Sequence, residues 1–136
     1  MVIRECTIQD CSILALLNKE LIEDEKHDNT MGIEQLEERM EGFLNGEYRA
    51  LFFMQGDDII GYALVKTVCS PPYLRQFYIC RGHRRKGYGT EAFQHMMACL
   101  KTDAIDIEVL YGNARGIRFW ESLGFRPRSI YLCYRK

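Results

Sequence analysis

The residues with the clearest chemical capacity lie in one stretch, Arg81-Gly82-His83-Arg84-Arg85-Lys86-Gly87-Tyr88-Gly89-Thr90. Four of them are formal cations (Arg81, Arg84, Arg85 and Lys86) and three are glycines. Glycine lets a backbone turn sharply and lets an anion approach its N–H groups with no Cβ in the way. An apolar, strand-like run, Tyr73 to Cys80, leads into the stretch, and a helix-like run, Glu91 to Leu100, leads out of it. A helix start adds unpaired N–H donors and a partial positive charge. Strand, basic glycine turn and helix N-terminus together predict a cradle for a pyrophosphate.

A second charged group is acidic. Residues 20–41 hold Glu20, Glu23, Asp24, Glu25, Asp28, Glu34, Glu37, Glu38 and Glu41 against Lys26 and Arg39. Charge runs are most often solvated helix faces. The other reading is an acidic wall that concentrates a cationic ligand. His27 and His95 read as surface histidines, and Glu23 with His27 at i, i+4 falls short of a metal site, so no metal is expected.

The elements that must position these groups follow from the pattern. At 136 residues, 47% apolar and 27% charged, the chain is one globular domain, 1–136, with enough length to bury a core. Val2–Thr7 reads as a strand, Asp10 as the N-cap of a helix reaching toward Asp28, and Ile33–Leu44 as a second helix. Tyr48–Met54 and Ile59–Val68 flank turn residues and read as a hairpin. After Pro71-Pro72 come the strand Tyr73–Cys80, the basic loop and the helix Glu91–Leu100. Ala104–Leu110 reads as a strand parallel to Tyr73–Cys80. Asn113 can cap a last helix that Gly124 stops, with Phe125 packing back. Ile130–Tyr134 reads as a final strand. The order βααβββαβαβ predicts an α/β fold, with one mixed, mostly antiparallel sheet and helices on both faces.

The same features limit the function. A net charge of −1 and a purely local basic loop argue against nucleic acid. Apolar runs fall short of the roughly 20 residues of a membrane span, so no membrane partner is expected. Gly87-Tyr88-Gly89-Thr90-Glu91-Ala92 satisfies G-x-G-x-x-G/A, but a dinucleotide fold places that first glycine directly after its first strand. Six dispersed cysteines without CxxC, and no signal-peptide pattern, fit reduced thiols and a cytoplasmic location.

Two motifs resemble those of the GCN5-related N-acetyltransferases. Arg84-Arg85-Lys86-Gly87-Tyr88-Gly89 matches the family's Q/R-x-x-G-x-G/A. The run from Asn113 to Phe125 matches its N-x-x-A-x-x-x-Y-x-x-x-G-F at Asn113, Gly124 and Phe125, with Gly116 in place of Ala and Trp120 in place of Tyr. The element order matches along nearly the whole chain, although the eleven residues after Phe125 allow one strand where the family has a hairpin.

The resemblance implies an acyl-CoA N-acyltransferase-like fold and transfer of an acetyl group from acetyl-CoA to a primary amine, by direct attack in a ternary complex. The amine would be a small cationic one or belong to a peptide or protein. Arg84, Arg85, Lys86, Gly87, Tyr88, Gly89 and Thr90 would hold the CoA pyrophosphate. Phe77, Tyr78 and Ile79 would pair their backbone with the pantetheine, with Asn113 and Trp120 beside it. The Ile79 N–H would face the thioester oxygen. Glu25, Glu23, His27 and, through water, Tyr78 are the candidates for taking the amine proton, and Glu25 and Tyr78 are carried forward with Ile79 as catalytic. Trp120 removes the family's tyrosine acid, with Tyr111, Cys80 and Tyr131 as possible substitutes. The alternative is an acetyl-CoA-binding module with little catalysis. A monomer or a homodimer is expected.

Overall fold

The computed structural model describes all 136 residues. The strands are β1 (Val2–Glu5), β2 (Tyr48–Gln55), β3 (Asp58–Lys66), β4 (Tyr73–Ile79) and β5 (Asp106–Ile107). The helices are α1 (Cys11–Asp24), α2 (Ile33–Asn45), α3 (Tyr88–Leu100) and α4 (Ala114–Ser122). They form one open sheet in the order β1-β2-β3-β4-β5, antiparallel through β4 and parallel between β4 and β5.

Strand alternation divides the core in two. On one face Ala50, Phe52, Tyr62, Leu64 and Tyr78 pack beneath Leu14 and Leu21 of α1 and Met40 of α2. On the other, Leu51, Phe53, Ala63, Val65 and Leu74 pack beneath Ala92 and Met96 of α3, with Trp120 of α4 and Phe125 against them. Helices therefore cover both faces, as the element order predicts.

Three local expectations change. Asp10 stands at the N-cap position of α1, as expected, but its side chain caps none of that helix's N–H groups. The chain enters through a 3-10 turn at Ile8–Asp10, and the Asp10 carboxylate accepts from the Thr7 backbone N–H at 2.8 Å and from Arg4. Asp10 thus serves the turn before the helix, and the Thr-x-x-Asp spacing behind that bond is local in sequence. β5 has only two paired residues rather than a run from Ala104 to Leu110. The final strand is not formed: Ile130, Tyr131, Leu132 and Tyr134 are 81–86% exposed and outside any ladder. Alternating apolar residues make a strand only where a partner offers its hydrogen bonds, and a β5 this short offers almost none.

The end of α4 follows its expectation. Gly124 takes φ 102°, its N–H donates to Glu121 O at 3.0 Å, and Phe125 N–H donates to Trp120 O at 3.1 Å. This pair of bonds is the Schellman stop. It seats Phe125 against Trp120 and Phe93, with ring centroids 5.2 and 5.5 Å apart.

Candidate active site

The site begins where β4 and β5 separate. They pair only at Tyr73↔Asp106 and Leu74↔Ile107, after which β4 runs on to Ile79 with β3 as its one partner. A bulge lies in the same strand: Leu64 pairs with Gln76 and Val65 with Leu74, so Arg75 is left without a partner on β3. An extra residue bends a strand and increases its twist, which turns β4 away from β5. Cys80 N–H donates to Ile60 O at 2.8 Å, so the antiparallel alternation aims the N–H groups of Phe77 and Ile79 away from β3, into the gap.

Gly61 makes the close packing behind this strand end possible. A Cβ there would sit 2.1 Å from the Tyr78 carbonyl oxygen and 3.1 Å from the Ile79 Cα.

The basic loop leads from the strand end into α3. The helix starts at Tyr88, three residues before the sequence pattern suggests, so the N–H groups of Tyr88, Gly89 and Thr90 stand at its open end. Two loop residues take positive φ, Arg85 at 63° and Gly87 at 77°. For arginine this conformation is strained. Gly89 packs closely on α4: a Cβ there would lie 3.0 Å from the Phe119 ring, tighter than ordinary contact. Arg85 and Lys86 are exposed and have no acidic partner. Arg81 and Arg84 both pair with Asp24.

Between the splayed strands lies a small open cleft of about 50 Å³, lined among others by Leu21, Glu25, Gln76, Phe77, Glu108 and Trp120. Tyr62 OH donates to Gln76 Oε1 at 2.7 Å and fixes that amide. Burial pushes the Glu25 carboxyl above its usual range; the His27 charge opposes this and the Asp24 charge adds to it. A carboxylate held so accepts a proton more readily than an exposed one. Trp120 packs edge-on against Phe77 and Phe119, with centroids 5.1 and 4.8 Å apart, and forms an aromatic wall.

The other predicted residues are dispersed. The Tyr78 side chain lies on the α1 face, and its hydroxyl donates to Glu20 Oε1 at 2.6 Å. Burial, followed by that bond, raises its pKa. Taking an amine proton through water would require it to release Glu20, and it does not line the cleft. Asn113 caps α4, its Oδ1 accepting from Gly116 N at 3.0 Å. A Cβ on Gly116 would meet the Asn113 amide at 2.5 Å, so an alanine there would require the Asn113 side chain to shift. Glu23 is exposed near Arg81, and the His27 Nδ1 accepts from Asn29 N–H. Tyr111 and Tyr131 are 96% and 86% exposed, and the Cys80 thiol is bound to Ile59 O, so none of these three stands in the cleft as an acid.

The acidic run therefore has several fates. Glu25 enters the cleft, Asp24 and Glu20 anchor α1, and Glu34, Glu38 and Asp28 face solvent. The anchoring partners lie about 60 residues away in sequence, so no local pattern could pick out Asp24 or Glu20. No three His, Cys, Asp or Glu side chains gather as a metal centre would require, and no helix is long and apolar enough to cross a membrane.

The model of the acetyltransferase (GNAT) family matches residues 13–125. No curated protein matches the sequence. Among solved structures, a possible acetyltransferase from Clostridium difficile 630 superposes with a TM-score of 0.79 at 16% identity, over 99% of this chain and 96% of that one. An aminoglycoside antibiotic 6'-N-acetyltransferase from Acinetobacter haemolyticus, in its apo form, gives 0.77 at 17% identity over 100% and 98%. A "predicted acetyltransferase with acetyl-CoA" from Clostridium acetobutylicum gives 0.72 at 16% over 98% and 95%. At such identities the likeness establishes a shared fold.

Proposed function

Since the chain belongs to the GNAT acetyltransferase family, we propose that it transfers an acetyl group from acetyl-CoA to a primary amine by direct attack in a ternary complex. The observation that carries this reading is the gap between β4 and β5, which has the Ile79 N–H on its edge, a helix N-terminus at one end and a half-buried carboxylate beside it.

The residues fit acetyl-CoA. Its pyrophosphate would meet the N–H groups of Tyr88, Gly89 and Thr90, with Arg85 and Lys86 supplying charge. Gly87 supplies the turn and Gly89 the close approach. The backbone of Phe77 and Ile79 would hold the pantetheine as a strand edge holds a peptide. Acetyl-CoA when bound supplies an acyl thioester. Its oxygen gains charge as the amine attacks, and the Ile79 N–H is the donor proposed to meet that charge. Asn113 and Trp120 would flank the arm, and Trp120 would close the wall.

An alkylamine, with a pKa near 10.4, arrives mostly protonated. Glu25 is the group proposed to take that proton. Trp120 cannot protonate a departing thiolate, because an indole N–H is not a usable acid, and water serves instead. The Trp120 position also favours a second reading, an acetyl-CoA-binding module with little turnover.

The acceptor would be a small cationic amine or a peptide amine, drawn by Glu25 and Glu108. The test is release of free CoA from acetyl-CoA with polyamines, aminoglycosides and lysine peptides in turn. Release that depends on one amine class supports transfer. Tight acetyl-CoA binding with no release from any amine would favour the binding module.

A further inference from the structure

One carboxylate joins the first helix of the cleft to the basic loop. Asp24, the last residue of α1, accepts from Arg81 Nε at 3.1 Å and Arg81 Nη2 at 2.8 Å through Oδ1, and from Arg84 Nη2 through Oδ2. Burial pushes its pKa up, but the hydrogen bonds and charges of the two arginines outweigh burial and hold it below the usual range. Arg84 Nε donates to the Ile79 carbonyl at 2.9 Å, and its guanidinium lies 5.1 Å from the Tyr78 ring centroid.

In a strand, the N–H and C=O of one residue point to the same side. Arg84 thus satisfies the Ile79 carbonyl in the gap and leaves the Ile79 N–H as the free group there. Asp24 directs Arg84 to that carbonyl. The next residue, Glu25, lines the cleft. The two loop cations without acidic partners are Arg85 and Lys86.

Resting on the acyl-transfer reading above, we propose that Arg84 and Asp24 are positioning residues. Together they fix the Ile79 peptide and dock the end of α1, with Glu25, on the end of β4. The charge on the pyrophosphate is met by Arg85, Lys86 and the helix N–H groups instead. Arg84 must donate in two directions from one planar fork, a geometry that a lysine ammonium cannot reproduce.

The test compares Asp24→Asn, Arg84→Lys and the double variant with Arg85→Ala/Lys86→Ala. It reads acetyl-CoA affinity by calorimetry, kcat at saturation, and hydrogen exchange at the amides of Glu25 and His27. Those two amides donate to Leu21 O and Ile22 O and report the last turn of α1. Each single variant is expected to lose about tenfold in kcat, as small misplacements do. Acetyl-CoA affinity should stay within about threefold and the two amides should exchange faster, while the double variant should be no worse than either single one. Arg85→Ala/Lys86→Ala should weaken binding and leave the exchange unchanged.

A tenfold loss of acetyl-CoA affinity in Arg84→Lys would make Arg84 a phosphate ligand and overturn the proposal. So would unchanged exchange in the single variants, or kcat losses that multiply in the double. Should Asp24→Asn fail to fold, Asp24→Glu, which keeps the charge on a longer arm, takes its place with the same readings. A wild type that binds acetyl-CoA but serves no amine defeats the transfer reading alone, and the exchange data still decide whether Asp24 docks α1.

Discussion

At the scale of single residues, Glu25 carries the sharpest consequence. Its carboxyl is raised above the ordinary 4.5 by burial. A carboxyl raised in the folded state favours folding below its unfolded value, and that advantage is lost as pH rises through the folded value. At neutral pH the ionised group therefore opposes folding. Glu25→Gln is expected to melt at or above the wild-type temperature at pH 7, while kcat falls about a hundredfold, as loss of a general base does. Parallel melting curves and turnover assays check both halves; a variant that melts lower would mean Glu25 is structural. In the wild type, kcat/KM should rise with pH through a range above that of an exposed carboxylate, and Glu25→Gln should lack that rise.

At the scale of elements, the site depends on how β4 is held against β3. Gly61 pairs with Ile79, and any side chain there would drive into the Tyr78 carbonyl. Gly61→Ala is expected to cost about 2 kcal/mol, as overpacking does. It should also lower acetyl-CoA affinity, because the displaced Ile79 is the residue that faces the gap. Urea denaturation and calorimetry on the same sample measure the two effects. The apolar alternation of β3 and β4 is legible in the sequence, yet alternation locates neither the bulge at Arg75 nor the separation after Ile107. Both arise from pairing between strands. β5 is shorter than its pattern predicts for the same reason, since Ala104–Leu110 carries strand-forming residues but most of them have no ladder to join.

At the scale of the molecule, charge ties the two ends of α1 to the rest of the fold. Asp24 binds α1 to the loop, and Asp10 binds the entry of α1 to Arg4 on β1. Burial raises both carboxyls, but hydrogen bonds and positive neighbours outweigh it and hold both below the ordinary 3.8. A depressed carboxyl contributes stability above its unfolded value and loses it as pH falls through the folded one. Stability should therefore decline on acidification below about pH 4. Asp24→Asn should be less stable than wild type at pH 7, and the difference should shrink toward pH 2. Urea midpoints across that range check it; a difference independent of pH would mean that the Asp24 ion pairs contribute nothing.

The sequence alone determined the features that depend on near neighbours. Two spaced motifs identified the family, and periodicity and turn chemistry placed four helices and the first four strands. Asn113 at its cap and Gly124 at its stop were legible because helix ends are settled within a few residues. Tertiary structure decided which charges meet. It placed Glu25 in the cleft, Tyr78 on Glu20, Asp24 between two arginines and Arg84 on the Ile79 carbonyl. It also left Ile130–Tyr134 unpaired. These outcomes depend on groups brought together from distant parts of the chain, and such a meeting exists only once the sheet has formed between them.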